Sequence, residues 1–187
     1  MASVARTIMI VILVAVIGLI GWGYIKSEDK PLDVVANVDV DRYLGKWHEI
    51  ARFEHRFQEG CVNSTATYSL REDGDIRVEN ACEVVGESNM RSATGRAWVV
   101  EDETNAKLRV QFFLADLKIP VLSGRYWILA LADDYSYVMV GEPGREYLWI
   151  LSRTPELSDH TIRDLIQKAQ VAGFDTKRLL FNSDLIT

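Results

Sequence analysis

Two cysteines, three histidines and one acidic triplet are the groups in this 187-residue chain with the most specific chemistry. Histidines 48, 55 and 160 lack the spacing of metal ligands and have no cysteine cluster beside them, so they are expected on the surface and no metal site is expected. The triplet Glu101-Asp102-Glu103 reads as a solvated turn rather than a calcium site. No glycine-rich loop could cradle a phosphate, and "RDLIQK" is an ordinary charged helix face. Cys61 has no histidine or acid paired with it nearby in sequence to activate it as a nucleophile. These residues therefore predict neither an enzyme nor a bound cofactor. The formal net charge of −6 argues against a nucleic-acid partner, which needs a basic footprint.

That leaves Cys61 and Cys82 as a disulfide pair, and the expectation depends on where the domain resides. Residues 7–25, "TIMIVILVAVIGLIGWGYI", carry no charge over about the length that crosses a bilayer core. Arg6 precedes the run and Lys26, Glu28, Asp29 and Lys30 follow it, a bias that favours export of the remainder. The run is longer than a secretory core, so residues 1–25 are expected as an uncleaved membrane anchor. Cleavage, leading to secretion or an outer-membrane location, is the alternative. No cysteine follows the run, so lipid attachment at a mature N-terminal cysteine is not expected. An even cysteine count beyond such a segment suggests a bridge. Residues 26–40 read as a polar linker, and 41–187 as one domain with a real core.

The elements that must position these residues are mostly strands. In "GKWHEIARF" (45–53) the alternation places Trp47, Glu49, Ala51 and Phe53 on one face, with His48, Ile50 and Arg52 on the other. Seven further strand-like stretches follow, at 64–70, 76–84, 92–100, 106–114, 124–132, 135–141 and 146–153. Their hairpin spacing points to an antiparallel all-β barrel or sandwich. Between the second and third, a loop Glu72-Asp73-Gly74 with a left-handed Gly74 pairs Tyr68 with Val78 and Leu70 with Ile76, matching apolar to apolar. In that register Cys82 lies opposite Ser64, three positions from Cys61, so "FQEGC" must curl back, as Gly60 would permit. Ile162, Leu165, Ile166 and Ala169 form one helix face between a Ser158 or Asp159 cap and Gly173, and this lone helix must pack outside the strands. "RLLF" (178–181) could add an edge strand.

The stretches "YLGKWHEIARFEHRF", "TATYSLREDG" and "REYLWILSRTP" resemble the lipocalin family, in particular the bacterial outer-membrane lipocalins related to apolipoprotein D. The resemblance covers about residues 32–187. It implies an eight-stranded up-and-down barrel with a C-terminal helix outside. It also implies a floor where Gly45 and Trp47 pack beneath Arg153, and an open end leading to an apolar cavity. Some lipocalins carry a reactive cysteine in this region, which gives Cys61 a rival role. Facing arguments put Ala66, Tyr68, Ile76, Val78, Gly95, Ala97, Leu108, Val110 and Phe112 inside, with the small residues leaving room for a ligand. Asn80, or Arg and Tyr side chains at the mouth, could hold a head group. The implied function is binding, storage or transport of a fatty acid or lysophospholipid, with the domain in the periplasm of a bacterial envelope. The alternative is a structural or interaction protein whose barrel is plugged by side chains.

Overall fold

The computed structural model of the protein describes residues 31–86 and 90–182. Eight antiparallel strands form the barrel: β1 (Gly45–Phe53), β2 (Cys61–Leu70), β3 (Ile76–Val84), β4 (Met90–Glu101), β5 (Lys107–Gln111), β6 (Gly124–Leu131), β7 (Tyr137–Gly141) and β8 (Leu148–Ser152). Each pairs with the next, and β1 closes the ring by pairing with both β8 and β2. A ninth, β9 (Leu179–Phe181), adds to β1 beyond its contact with β2, as the "RLLF" stretch suggested. The β2–β3 hairpin has the expected register: Tyr68 faces Val78, Leu70 faces Ile76, and Gly74 is left-handed at φ 83°. Leu70 nevertheless stays 57% exposed, because it stands at the rim beyond the packed interior.

Two bulges reorganise which side chains face inward. In β1, Glu49 pairs with Leu151 but Ala51 pairs with Ile150, so Ile50 is an extra residue. After an inserted residue the side-chain phase inverts. Trp47 packs in the interior cluster, while Ala51 and Phe53 join the outer cluster. Arg52 instead turns to the same side as Glu49, 2.5 Å away. The single face expected for Trp47, Glu49, Ala51 and Phe53 is thus divided in two. Leu129 makes the same shift in β6, leaving Ile128 in the interior cluster and Ala130 in the outer one.

The outer cluster is the platform for helix α2 (Asp159–Val171). The Ser158 side chain caps it by accepting from the Thr161 N–H, and Gly173 at φ 89° lets the chain leave. Leu165 and Ala169 bury against Phe53, Met139, Leu148 and Ile150.

Residues 32–39, read from composition as linker, are part of the fold. Leu32 and Val38 are buried, the Val35 N–H donates to the Ile128 carbonyl, and the Val38 N–H donates to that of Thr104. This strap leads into a one-turn helix, α1 (Val40–Tyr43), capped by Asp39. Among the described residues no helix is long and apolar enough to cross a membrane. The anchor expected at 7–25 lies outside the described residues.

Cys61 and Cys82 are joined in a disulfide with their Cα atoms 5.4 Å apart. The expected turn at Gly60 is present, at φ 73°, and a bulge completes the approach. Val62 pairs with Glu83 and Thr65 with Ala81, so Asn63 and Ser64 together oppose Cys82, with Asn63 at φ 50°. The extra residue brings Cys61 within reach across the ladder.

Candidate ligand-binding cavity

The closed end is built around Trp47, which is fully buried and donates its indole N–H to the Tyr43 carbonyl at 2.9 Å. The Arg153 guanidinium lies 3.7 Å from the centre of the indole ring. Its nitrogens donate to the carbonyls of Lys46, Arg42, Tyr43 and Tyr135. Gly45 sits at φ 95°, and a Cβ there would lie 3.3 Å from Arg153 Nη1, so glycine meets both the backbone and the packing requirement. Burial pushes the Arg153 pKa down, and the neighbouring Tyr43 opposes that shift.

Above this floor lies a void of 10 Å³, about the size of one water molecule, lined by Tyr43, Tyr68, Ile76, Ala97, Leu108, Val110 and Tyr126. Five of these are among the nine expected cavity residues. Val78 is buried in the surrounding core, and Ala66 packs at its edge opposite Trp47. Gly95 is closed off from the void by Phe112, because a Cβ on Gly95 would meet the Phe112 ring at 2.8 Å. The room expected from Ala66 and Gly95 is thus taken up by neighbouring side chains.

Tyr43 and Tyr126 were missed by sequence reasoning. Tyr126 belongs to "RYWIL", where apolar residues occupy both faces and alternation gives no direction. Tyr43 arrives from α1, outside any strand. Their hydroxyls are 2.7 Å apart, and Tyr126 also meets the Tyr68 hydroxyl at 3.0 Å. Burial holds the Tyr43 and Tyr126 phenols well above their ordinary pKa and pushes Tyr68 up to about 12. All three are therefore neutral at physiological pH.

A second polar group lies further along β1. Arg52, 3% exposed, pairs with Glu49 and donates to the carbonyls of Gln58 and Cys61. The Gln58 amide donates to Glu49 Oε2 at 2.8 Å, and its oxygen receives the Trp149 indole N–H and contacts His55 Nε2. Because that oxygen can only accept, His55 carries its proton on Nε2. His55 is half-buried among Phe57, Tyr147 and Trp149, not on the surface as its isolation in sequence suggested. Burial pushes its pKa down. The head-group candidate Asn80 is half-buried, and its Oδ1 has no partner among the described residues. The next position facing the same way, Ala93 on β4, is exposed, so solvent reaches the wall at that level. Glu101 forms the expected turn, accepting from the N–H groups of Glu103 and Thr104. No group of three potential metal ligands occurs among the described residues.

The same barrel and outer helix occur in known proteins. The lipocalin-like domain family matches residues 38–184. Temperature-induced lipocalin-1 of Arabidopsis thaliana is 38% identical over 156 residues, covering 82% of this chain and 83% of that protein. The outer membrane lipoprotein Blc of Escherichia coli K12 is 40% identical over 155 residues, covering 83% and 84%. Apolipoprotein D of Rattus norvegicus is 37% identical over 137 residues, covering 69% and 68%. Among solved structures, insecticyanin from the tobacco hornworm Manduca sexta superimposes with a TM-score of 0.62 at 18% identity over 81% of this chain and 84% of that one, a likeness of fold alone. With the family match spanning nearly the whole described region, and relatives in bacteria and animals identical at over a third of the aligned positions, the chain belongs to the lipocalin family.

Proposed function

We propose that the protein binds a lipophilic small molecule, a fatty acid or lysophospholipid, in the barrel, and stores or transfers it at a bacterial cell envelope. Membership of a family that binds small hydrophobic ligands supports this reading. The observation that carries it is the interior void, walled by Ile76, Ala97, Leu108 and Val110 and bordered by Tyr43, whose ring packs 5.1 Å from that of Trp47. Val78 and Ala66 flank that wall in the same core and would meet a ligand that displaced their neighbours, whereas Gly95 lies behind Phe112, which is 39% exposed rather than inside as expected. The envelope location draws on the similarity to outer membrane lipoproteins and on the uncharged run at 7–25, which would hold the domain at a membrane with the barrel in the periplasm.

The size of the void favours a second reading, in which side chains plug the barrel and the protein acts through its surface. Mass spectrometry of lipids that copurify after gentle extraction separates the two. A stoichiometric acyl lipid is expected from the first, and protein free of lipid together with failure to bind added fatty acid would refute it.

A further inference from the structure

The wall of the void holds a hydrogen-bond donor with no protein acceptor among the described residues. Tyr43, Tyr68 and Tyr126 each carry one O–H. Their oxygens make two contacts, Tyr43 with Tyr126 and Tyr126 with Tyr68, and no other hydrogen bond among the described residues involves them. Each contact uses one hydrogen, and three hydrogens less two contacts leaves one. The remainder is the same whichever way the chain of phenols runs: Tyr43, Tyr68 or Tyr126 ends it with a free O–H. The other lining residues, Ile76, Ala97, Leu108 and Val110, offer no side-chain acceptor.

One water fits the void and could accept the spare O–H while donating to a phenol oxygen, so a ligand group competes with that water for the donor. A carboxylate would compete poorly, since no cation lines the void and an unpaired buried charge is costly. A neutral carbonyl oxygen meets the donor without bringing a charge. It accepts one hydrogen bond, needs no donor in return, and is attached to carbon that the apolar wall can cover.

We propose that the void is a subsite for the neutral carbonyl oxygen at the end of a lipid chain, with the hydrocarbon directed towards the mouth. The inference rests on the reading of the barrel as a lipid binder and refines it. A free fatty acid enters carboxyl-first in its protonated form, and a methyl ketone or aldehyde can take the same place. A lysophospholipid presents only a methyl at its free chain end and gains nothing from the donor. Because the phenols stay protonated at neutral pH, the donor is permanent, and only the ligand's own ionisation opposes binding.

The test uses full-length protein and two probes that differ in one atom pair: 2-decanone and 2-methyl-1-decene, in which C=CH₂ replaces C=O. Binding is followed by tryptophan fluorescence, and each probe's affinity is expressed relative to its own water-to-alkane partition, so that the greater hydrophobicity of the alkene cancels. The ketone is expected to bind about five- to tenfold tighter to wild type, the range of one buried hydrogen bond. The double variant Tyr43→Phe/Tyr68→Phe should keep that preference, since Tyr126 then holds a free O–H. Adding Tyr126→Phe removes the last donor and should bring the ratio to about one. Equal binding of the two probes by wild type would overturn the proposal while leaving lipid binding intact, and that comparison needs no variant to fold. A triple variant that still prefers the ketone would also overturn it. If wild type binds neither probe nor any fatty acid, the lipid-binding reading fails and takes this one with it.

Discussion

Replacing Arg153 with alanine removes a guanidinium that stacks 3.7 Å from the Trp47 ring centre and donates to four backbone carbonyls. The cation–π contact is worth about 1 kcal/mol in this partly shielded position. Hydrogen bonds from a charged donor contribute about 1.5–3 kcal/mol each when buried. Arg153 is half-buried, however, and water can reach some of the carbonyls it leaves, so only a fraction of that sum is lost. A net cost of about 3 kcal/mol follows, which for a domain of this size lowers Tm by about 6–12 °C. Arg153→Lys keeps a cation over the ring without the fork of donors and should cost about half as much. Thermal unfolding monitored by circular dichroism reads both values. Ligand affinity measured well below Tm should stay at the wild-type level, because the guanidinium lies beneath the indole and Tyr43, outside the void. Stability within about 0.5 kcal/mol of wild type, or an altered ligand preference at unchanged Tm, would refute this account of the floor.

Ala97→Trp tests how full the barrel is. With only 10 Å³ free beside Ala97, the indole cannot be absorbed as filling, and overpacking should cost about 1–3 kcal/mol or more in urea unfolding as well as abolishing fatty-acid binding. A fully stable variant would mean that the interior holds far more free space than this void provides. Cys61→Ser/Cys82→Ser opens a loop spanning 21 positions and should lower stability by roughly 3 kcal/mol, while alkylation of unreduced wild type should find no free thiol. His55 supplies a pH dependence. Its folded pKa is pushed below the ordinary 6.5, so the unfolded chain takes up its proton first. Its contribution is fully present above about pH 6.5 and is lost as pH falls towards the folded value. Denaturation series at pH 7 and pH 5 should show a smaller loss for His55→Asn than for wild type, and equal losses would exclude His55 as the source.

The period-two pattern made the strands legible because successive hairpins repeat one simple constraint, and Gly74 gave the β2–β3 register because only one loop length pairs apolar residues with each other. The bulges at Ile50 and Leu129 left no such mark. An inserted residue inverts the phase of everything after it without changing composition, so Ala51, Phe53 and Arg52 could not be placed by counting. The pairing of Cys61 with Cys82 was readable from the even cysteine count, but the bulge at Asn63 and Ser64 that joins the pair was not. The β5 stretch was expected to reach residue 114 yet ends at Gln111. The Gln111 side chain, fully buried, binds the carbonyls of Phe113 and Leu114 and the N–H of Ile119, which turns the chain out of the sheet. Five of the nine cavity residues were found because they alternate on β2 to β5. The two tyrosines that complete the lining come from a one-turn helix and from a strand apolar on both faces.

The strap of residues 32–39 ties the barrel floor to whatever pulls on the chain before it. Tension applied at residue 31 passes through two backbone hydrogen bonds, at Val35 and Val38, and then into α1, whose last residue is Tyr43. The Arg153 fork grips the carbonyls of Arg42 and Tyr43, so it is the clamp that resists extraction of this segment. Should the clamp slip, the first piece to leave is the tyrosine that forms part of the void's lining, and the barrel would open from beneath while its strand ladders remained zipped. A pull on the N-terminal side of this domain would therefore load the Arg153 clamp before it reached the strands.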